Sequence, residues 1–92
     1  MRFEWDDDKN NVNIRKHGID FADVSQIFDG PMLVDLDDRE DYGESRWIGT
    51  GWLGDILIVV VWAEPRENAV RFISTRKANE HERRRYEKSI SY

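Results

Sequence analysis

Apolar residues alternate with polar ones through the middle of this chain and recur at helical spacing toward its ends, which predicts an α+β domain. Phe3-Glu4-Trp5 alternates and reads as a very short edge strand. Asp6, Asp7 and Asp8 then supply N-cap candidates and negative charge where a helix N-terminus favours it. The helix they open runs through about Lys9–Lys16 and closes at Gly18, a residue suited to the left-handed position after a helix. Asp20 is the next N-cap, with Asp23 as a capping-box partner and Ile19 and Val24 at the staple positions. Phe21, Val24, Ile27 and Phe28 form one apolar stripe, predicting an amphipathic second helix that ends at Gly30-Pro31.

Strands fill the middle. Met32–Leu36 is a short candidate, and an acidic loop from Asp37 to Glu44 follows it. Ser45–Trp52 alternates, Leu53-Gly54-Asp55 is a tight connection, and Ile56–Ala63 is apolar at nearly every position, as a central strand covered on both faces requires. After a turn around Pro65, Ala69–Arg76 is the last strand. Strict alternation sets Val70, Phe72, Ser74 and Arg76 on one face and Arg71, Ile73 and Thr75 on the other. Asn79 opens a final helix with Glu82 as its capping-box partner; the apolar content there is thin, chiefly Tyr86 and Ile90. The expected architecture is two N-terminal helices, an antiparallel sheet of about four strands and a C-terminal helix, forming a single domain over residues 1–92.

Composition narrows the chemistry. No cysteine is present, so disulfides and thiolate catalysis are excluded, and a reducing cytoplasm fits. The N-terminus shows no apolar signal stretch, and Ile56–Ala63, the longest apolar run, is far short of a membrane span, so no membrane is expected. The net charge of -5 opposes phosphate binding as a whole, but its distribution does not. Residues 1–45 hold 5 Lys/Arg against 13 Asp/Glu, whereas residues 46–92 hold 9 against 6. A short nucleic-acid substrate held in a local cationic site is compatible with that split; tracking along a long duplex is not.

Two histidines, His17 and His81, fall short of the three or four protein ligands usual at zinc, and no cofactor is expected. The Asp35, Asp37, Asp38, Glu40, Asp41 and Glu44 cluster lacks calcium-loop spacing and reads as a solvated loop, with no metal. Four tryptophans offer stacking surfaces for bases, although core or sheet-cover roles fit them better. Arg46, Arg66, Arg71, Arg76 and Lys77 all lie on or beside three consecutive strands, where neighbouring strands about 5 Å apart bring such groups together. Converging guanidinium forks suit a phosphate whose charge grows in a transition state. RNA carries its own nucleophile, the 2′-hydroxyl, leaving the protein to position, to stabilise charge and to move protons. His17, at a helix end, is the first candidate for proton transfer, because histidine changes charge near neutral pH; Tyr86 and Glu64 are secondary candidates. The alternative for each arginine is a surface ion pair.

Three ordered motifs carry a resemblance. Phe3-Glu4-Trp5-Asp6 with Lys9, Asn13 and Lys16-His17-Gly18-Ile19-Asp20-Phe21 resembles the opening of the BrnT toxin family. Glu44-Ser45-Arg46 with Ile48-Gly49 resembles its middle motif, and Arg71–Ala78 with Glu82-Arg83 and Tyr86-Glu87 its closing one. The resemblance implies a RelE-like ribonuclease toxin of a type II toxin–antitoxin pair that acts on RNA to stop translation; with the residue reading above, the expectation is RNA cleavage without a metal. It further implies a BrnA-like antitoxin with a ribbon-helix-helix domain, and contact with operator DNA only through that antitoxin. Carried onto this sequence, the RNA site comprises His17, Arg46, Arg71, Arg76, Lys77 and Tyr86. The remaining alternative is a non-catalytic, degenerate toxin-fold binding module that acts inside an antitoxin–DNA repressor complex.

Overall fold

A computed structural model describes residues 1–90. In chain order it contains β1 (Arg2–Trp5), α1 (Asp7–His17), α2 (Phe21–Val24) running into a 3-10 turn (Ser25–Asp29), β2 (Leu33–Leu36), β3 (Arg46–Leu53), β4 (Ile56–Ala63), β5 (Ala69–Lys77) and α3 (Glu80–Ile90). The fold is α+β, with a five-stranded sheet in the order β1-β5-β4-β3-β2. Strands β2 to β5 form an antiparallel meander, as the alternating pattern predicts. The sheet gains a fifth strand because β1 pairs in parallel with β5, in register from Arg2 opposite Ala69 to Trp5 opposite Phe72. Phe3 and Trp5 stack on Phe72 with centroids 5.5 and 6.2 Å away, so aromatic burial fixes this long-range pairing.

The second predicted helix is also modified. Asp20 does cap it, accepting from Ala22 N, but the α-helical part lasts four residues before tightening into the 3-10 turn. Asp23 does not close a capping box; the side chain that meets Asp20 is Asn10, whose amide donates to Asp20 Oδ1 at 2.9 Å. The apolar stripe still does its packing. Phe21, Val24 and Ile27 are buried with Ile58, Val60, Trp62, Val70 and Phe72, and Phe28 meets Trp62 edge-on at 5.1 Å. Trp62 lies so close over β3 that a Cβ on Gly49 would come within 2.5 Å of its ring.

Helix α1 begins at N-cap Asp6 and ends at Gly18, whose φ of 69° is the left-handed region that glycine favours. Its buried residues are polar. Asn10 accepts from Phe21 N, and Asn13 donates to Ile19 O while accepting from Thr75 N, so two side-chain amides tie α1 to the following turn and to the open edge of β5 beyond β1. The predicted capping box of α3 is present in both directions, Asn79 Oδ1 with Glu82 N and Glu82 Oε1 with Asn79 N. α3 lies against the opposite face of the sheet, where Tyr86 meets Trp52 edge-on at 6.3 Å and Arg85 pairs with Asp35 at 2.7 Å.

Candidate RNA site on the open face of the sheet

Side chains alternate across a pleated sheet, so residues in cross-strand register share a face. Glu4, Arg71, Ala63 and Arg46 stand opposite one another across β1, β5, β4 and β3 and form one row. Arg76 stands opposite Val59 farther along β5, on the same face. Uninterrupted alternation would have separated Arg71 from Arg76. A bulge corrects that expectation: Trp62 pairs with Phe72 and Val61 with Ser74, leaving Ile73 as the extra residue. Arg46, Arg71 and Arg76 therefore share the face that α3 leaves open beside Trp52 and Asp35.

The arginines are held by carboxylates. Glu44 accepts from Arg71 Nη2 at 2.6 and 2.8 Å, and its second oxygen lies 3.5 Å from Arg46 Nε. That separation is too long for a hydrogen bond, and the buried Arg46 Nε has no partner. The Arg46 guanidinium lies 4.0 Å above the Tyr42 ring, a cation–π contact. Arg76 grips Glu82 with two bonds of 2.7 Å, and this pairing, with desolvation opposing it, holds the Glu82 carboxyl below its ordinary value. Arg66, in the β4–β5 turn, makes two bonds to Glu4 and lowers that carboxyl in the same way.

One cation escaped the sequence reading. Arg39, in the acidic loop, makes two bonds to Asp37, whose side chain is fully buried, and stands near enough to Arg76 for their charges to repel. The signal available was the Asp37-x-Arg39 spacing, which resembles any loop ion pair. The acidic loop is thus held by arginines. Asp37 holds Arg39 and Glu44 holds Arg71, while Asp35 at the end of β2 holds Arg85. Among the described residues no group of three His, Asp or Glu side chains comes together.

The other predicted site residues separate. Lys77 stands opposite Ile58, on the face turned toward α2, away from Arg76. Tyr86 is 4% exposed, donates its hydroxyl to Pro31 O at 3.0 Å and meets Trp52 edge-on, so its hydroxyl is engaged in the docking of α3. Glu64 leaves β4 at the turn end of the sheet. His17 occupies the last turn of α1, exposed, and lines a cavity of about 380 Å³ between α1 and the edge of β5 that also touches Val12, Lys16, Ile73 and Ser74. Ile73 and Ser74 lie between Arg71 and Arg76 in β5, so cavity and arginine face adjoin along one strand.

Residues 5–82 match the family described as the ribonuclease toxin, BrnT, of type II toxin-antitoxin systems. The chain belongs to the BrnT family. The crystal structure of the Brucella abortus ribonuclease toxin BrnT superposes with a TM-score of 0.68 at 30% identity, covering 87% of this chain and 99% of that one. No curated protein gives a significant sequence match. Membership makes this BrnT chain a ribonuclease toxin of a type II toxin–antitoxin system, and so implies an antitoxin partner. No described helix is long and apolar enough to cross a membrane.

Proposed function

We propose that this BrnT chain is a metal-independent endoribonuclease in which Arg46, Arg71 and Arg76 hold the scissile phosphate. The observation that carries the proposal is the shared carboxylate. Glu44 lies between Arg46 and Arg71 as an anion at a point where two guanidinium groups meet, and the buried Arg46 Nε still lacks an acceptor. A phosphate oxygen entering there replaces Glu44 and supplies the missing acceptor. The RNA 2′-hydroxyl attacks the adjacent phosphorus, the 5′-oxygen leaves, and the products are a 2′,3′-cyclic phosphate and a 5′-hydroxyl. Charge grows on the non-bridging oxygens in that transition state, where the arginines act most strongly. His17, reaching from α1 beside Ser74, moves the proton. Arg66 and Lys77, outside the cluster, contact phosphates farther along the strand.

RNA cleavage of this kind stops translation in the cytoplasm. The inhibitor that fits the acidic N-terminal half is a basic, BrnA-like ribbon-helix-helix antitoxin, through which the complex reaches operator DNA. One observation favours the rival reading of a non-catalytic repressor module: Arg39, Arg66, Arg71 and Arg76 each already grip a carboxylate of the chain. Incubating purified protein with RNA in excess chelator separates the two. Cleavage that leaves cyclic-phosphate ends, and that falls about 100-fold in Arg71→Ala and Arg46→Ala, is expected. An intact substrate, cleavage indifferent to both substitutions, or cleavage abolished by the chelator overturns the proposal.

A further inference from the structure

The cavity between α1 and β5 has the chemistry of a nucleotide site. We infer that it receives an unpaired nucleotide flanking the scissile phosphate, with the base on Val12 and Ile73 and its phosphate toward Lys16 and His17; this rests on the ribonuclease reading above. At about 380 Å³ the cavity falls within the roughly 300–1,000 Å³ typical of small-molecule sites. Its floor is apolar: Val12, 39% exposed, faces it from α1 and Ile73 from the bulge of β5. Val12 and Ile73 thus offer apolar surface from the two sides of the opening, and a planar base covers it.

Charge orients the occupant. Asp8 and Lys9 lie together at one end of α1, while Lys16 and His17 lie two turns on, about 12 Å away at 1.5 Å per residue. Asp8 offsets Lys9 and repels phosphate at its own end; the other end is left cationic. Among the described residues neither Lys9 nor Lys16 has a carboxylate within ion-pair distance, whereas the cluster arginines on the sheet all do. Lys16, away from Asp8, is thus available to a phosphate without displacing an anion of the chain. Continuity supplies the rest. The bulge that brings Arg71 and Arg76 to one face also sets Ile73 and Ser74 between them, so Ser74 is two residues, about 7 Å, from Arg76 along the strand. A phosphate on the arginines leaves the neighbouring base at the mouth of the cavity. A single unpaired nucleotide fits this path, because duplex bases are stacked inward and unavailable.

The test is fluorescence anisotropy with a labelled short RNA methylated at every 2′-hydroxyl, which binds but is not cleaved, beside the same oligomer with abasic sites throughout. The base-bearing oligomer is expected to bind wild-type protein about tenfold more tightly than the abasic one. Val12→Asn, at an exposed helical position, is expected to weaken only the base-bearing oligomer, about fivefold. Lys16→Gln is expected to weaken both oligomers, and Arg84→Gln, which removes a cation from the outer side of α3, neither. Equal affinity for the two oligomers overturns the inference. So does a Val12→Asn protein that binds both as wild type does or loses both equally, as a surface reserved for a protein partner predicts. Cleavage of unmodified RNA is scored separately: its absence ends the ribonuclease reading, while the binding arms still decide the subsite.

Discussion

Replacing Asn13 by alanine removes a side chain that serves two backbone groups at once. Its Oδ1 accepts from Thr75 N at 3.2 Å and its Nδ2 donates to Ile19 O at 3.0 Å, and the residue is only 7% exposed. Thr75 lies at the unpaired edge of β5, beyond the reach of β1, so its N–H has no strand to turn to. Each buried group left without a partner costs about 1–3 kcal/mol, and alanine returns about 0.5 kcal/mol of helix propensity, so the net loss for the two groups is about 1.5–5.5 kcal/mol. For a domain of this size that is at least about 6 °C in Tm, since each kcal/mol moves Tm by roughly 4–8 °C. Thermal unfolding followed by circular dichroism reads the total, and amide hydrogen exchange at Thr75 reads the particular bond. A Tm within about 3 °C of wild type, or a Thr75 amide still as protected as its strand neighbours, refutes the claim that Asn13 fastens α1 to the sheet. Cleavage should fall as well, because His17 and the cavity wall ride on the same helix.

Other outcomes follow from the same contacts. Tyr86→Phe loses one hydrogen bond to Pro31 O and about 1 kcal/mol of stability, with cleavage unchanged; a cleavage rate more than about tenfold lower would return Tyr86 to the catalytic group. Glu44→Gln removes the anion between Arg46 and Arg71, so a non-cleavable RNA should bind more tightly and with a salt dependence steeper by about one unit in the log–log slope; weaker binding at low salt would count against phosphate taking the Glu44 position. Hydrogen bonds from Arg66, Asn10, Arg85, Arg39 and Arg76 lower the carboxyls of Glu4, Asp20, Asp35, Asp37 and Glu82 respectively. Depressed folded-state values add stability above the ordinary carboxyl range, and that stability is lost as pH falls through the folded values. Urea midpoints should therefore stay level from neutral pH to about 5 and drop below about 4, while a midpoint that rises on acidification contradicts these pairings.

Local chemistry made much of this fold readable. The Asn79–Glu82 box, the apolar run of β4 and the left-handed glycine after α1 each depend on residues within a turn or two of one another, and each appears where the pattern sets it. Features that depend on distant partners were not readable. Phe3 and Trp5 announce a strand but not its parallel pairing with β5, which needs Phe72 to stack on. Asn10 and Asn13 look like surface residues of a polar helix until the turn after α1 and the edge of β5 present backbone groups to them. The site suffered most, because one bulge residue decides which face half a strand presents. Alternation alone parted Arg71 from Arg76, and only the pairing with β4 reunites them, while the same shift carries Lys77 away.

That reunion creates an electrostatic difficulty which the chain resolves with its own acids. Four guanidinium groups, those of Arg39, Arg46, Arg71 and Arg76, share one small surface, and unopposed they would repel. Asp37, Glu44 and Glu82 are interleaved among them, and Glu4 continues the alternation to Arg66. Because the arginine ends of these pairs are open to solvent, each contributes little to stability by itself, but together they offset the repulsion among the cations. On the proposed reading, the same interleaving lets a chain of net charge -5 offer a local cationic site to RNA. Glu44 comes from a loop and Glu82 from the first turn of a helix, whereas Arg46, Arg71 and Arg76 project from strands. The cations therefore project from the sheet and the anions from a loop and a helix, and on the proposed reading an incoming phosphate displaces carboxylates from a cationic frame that is already in place.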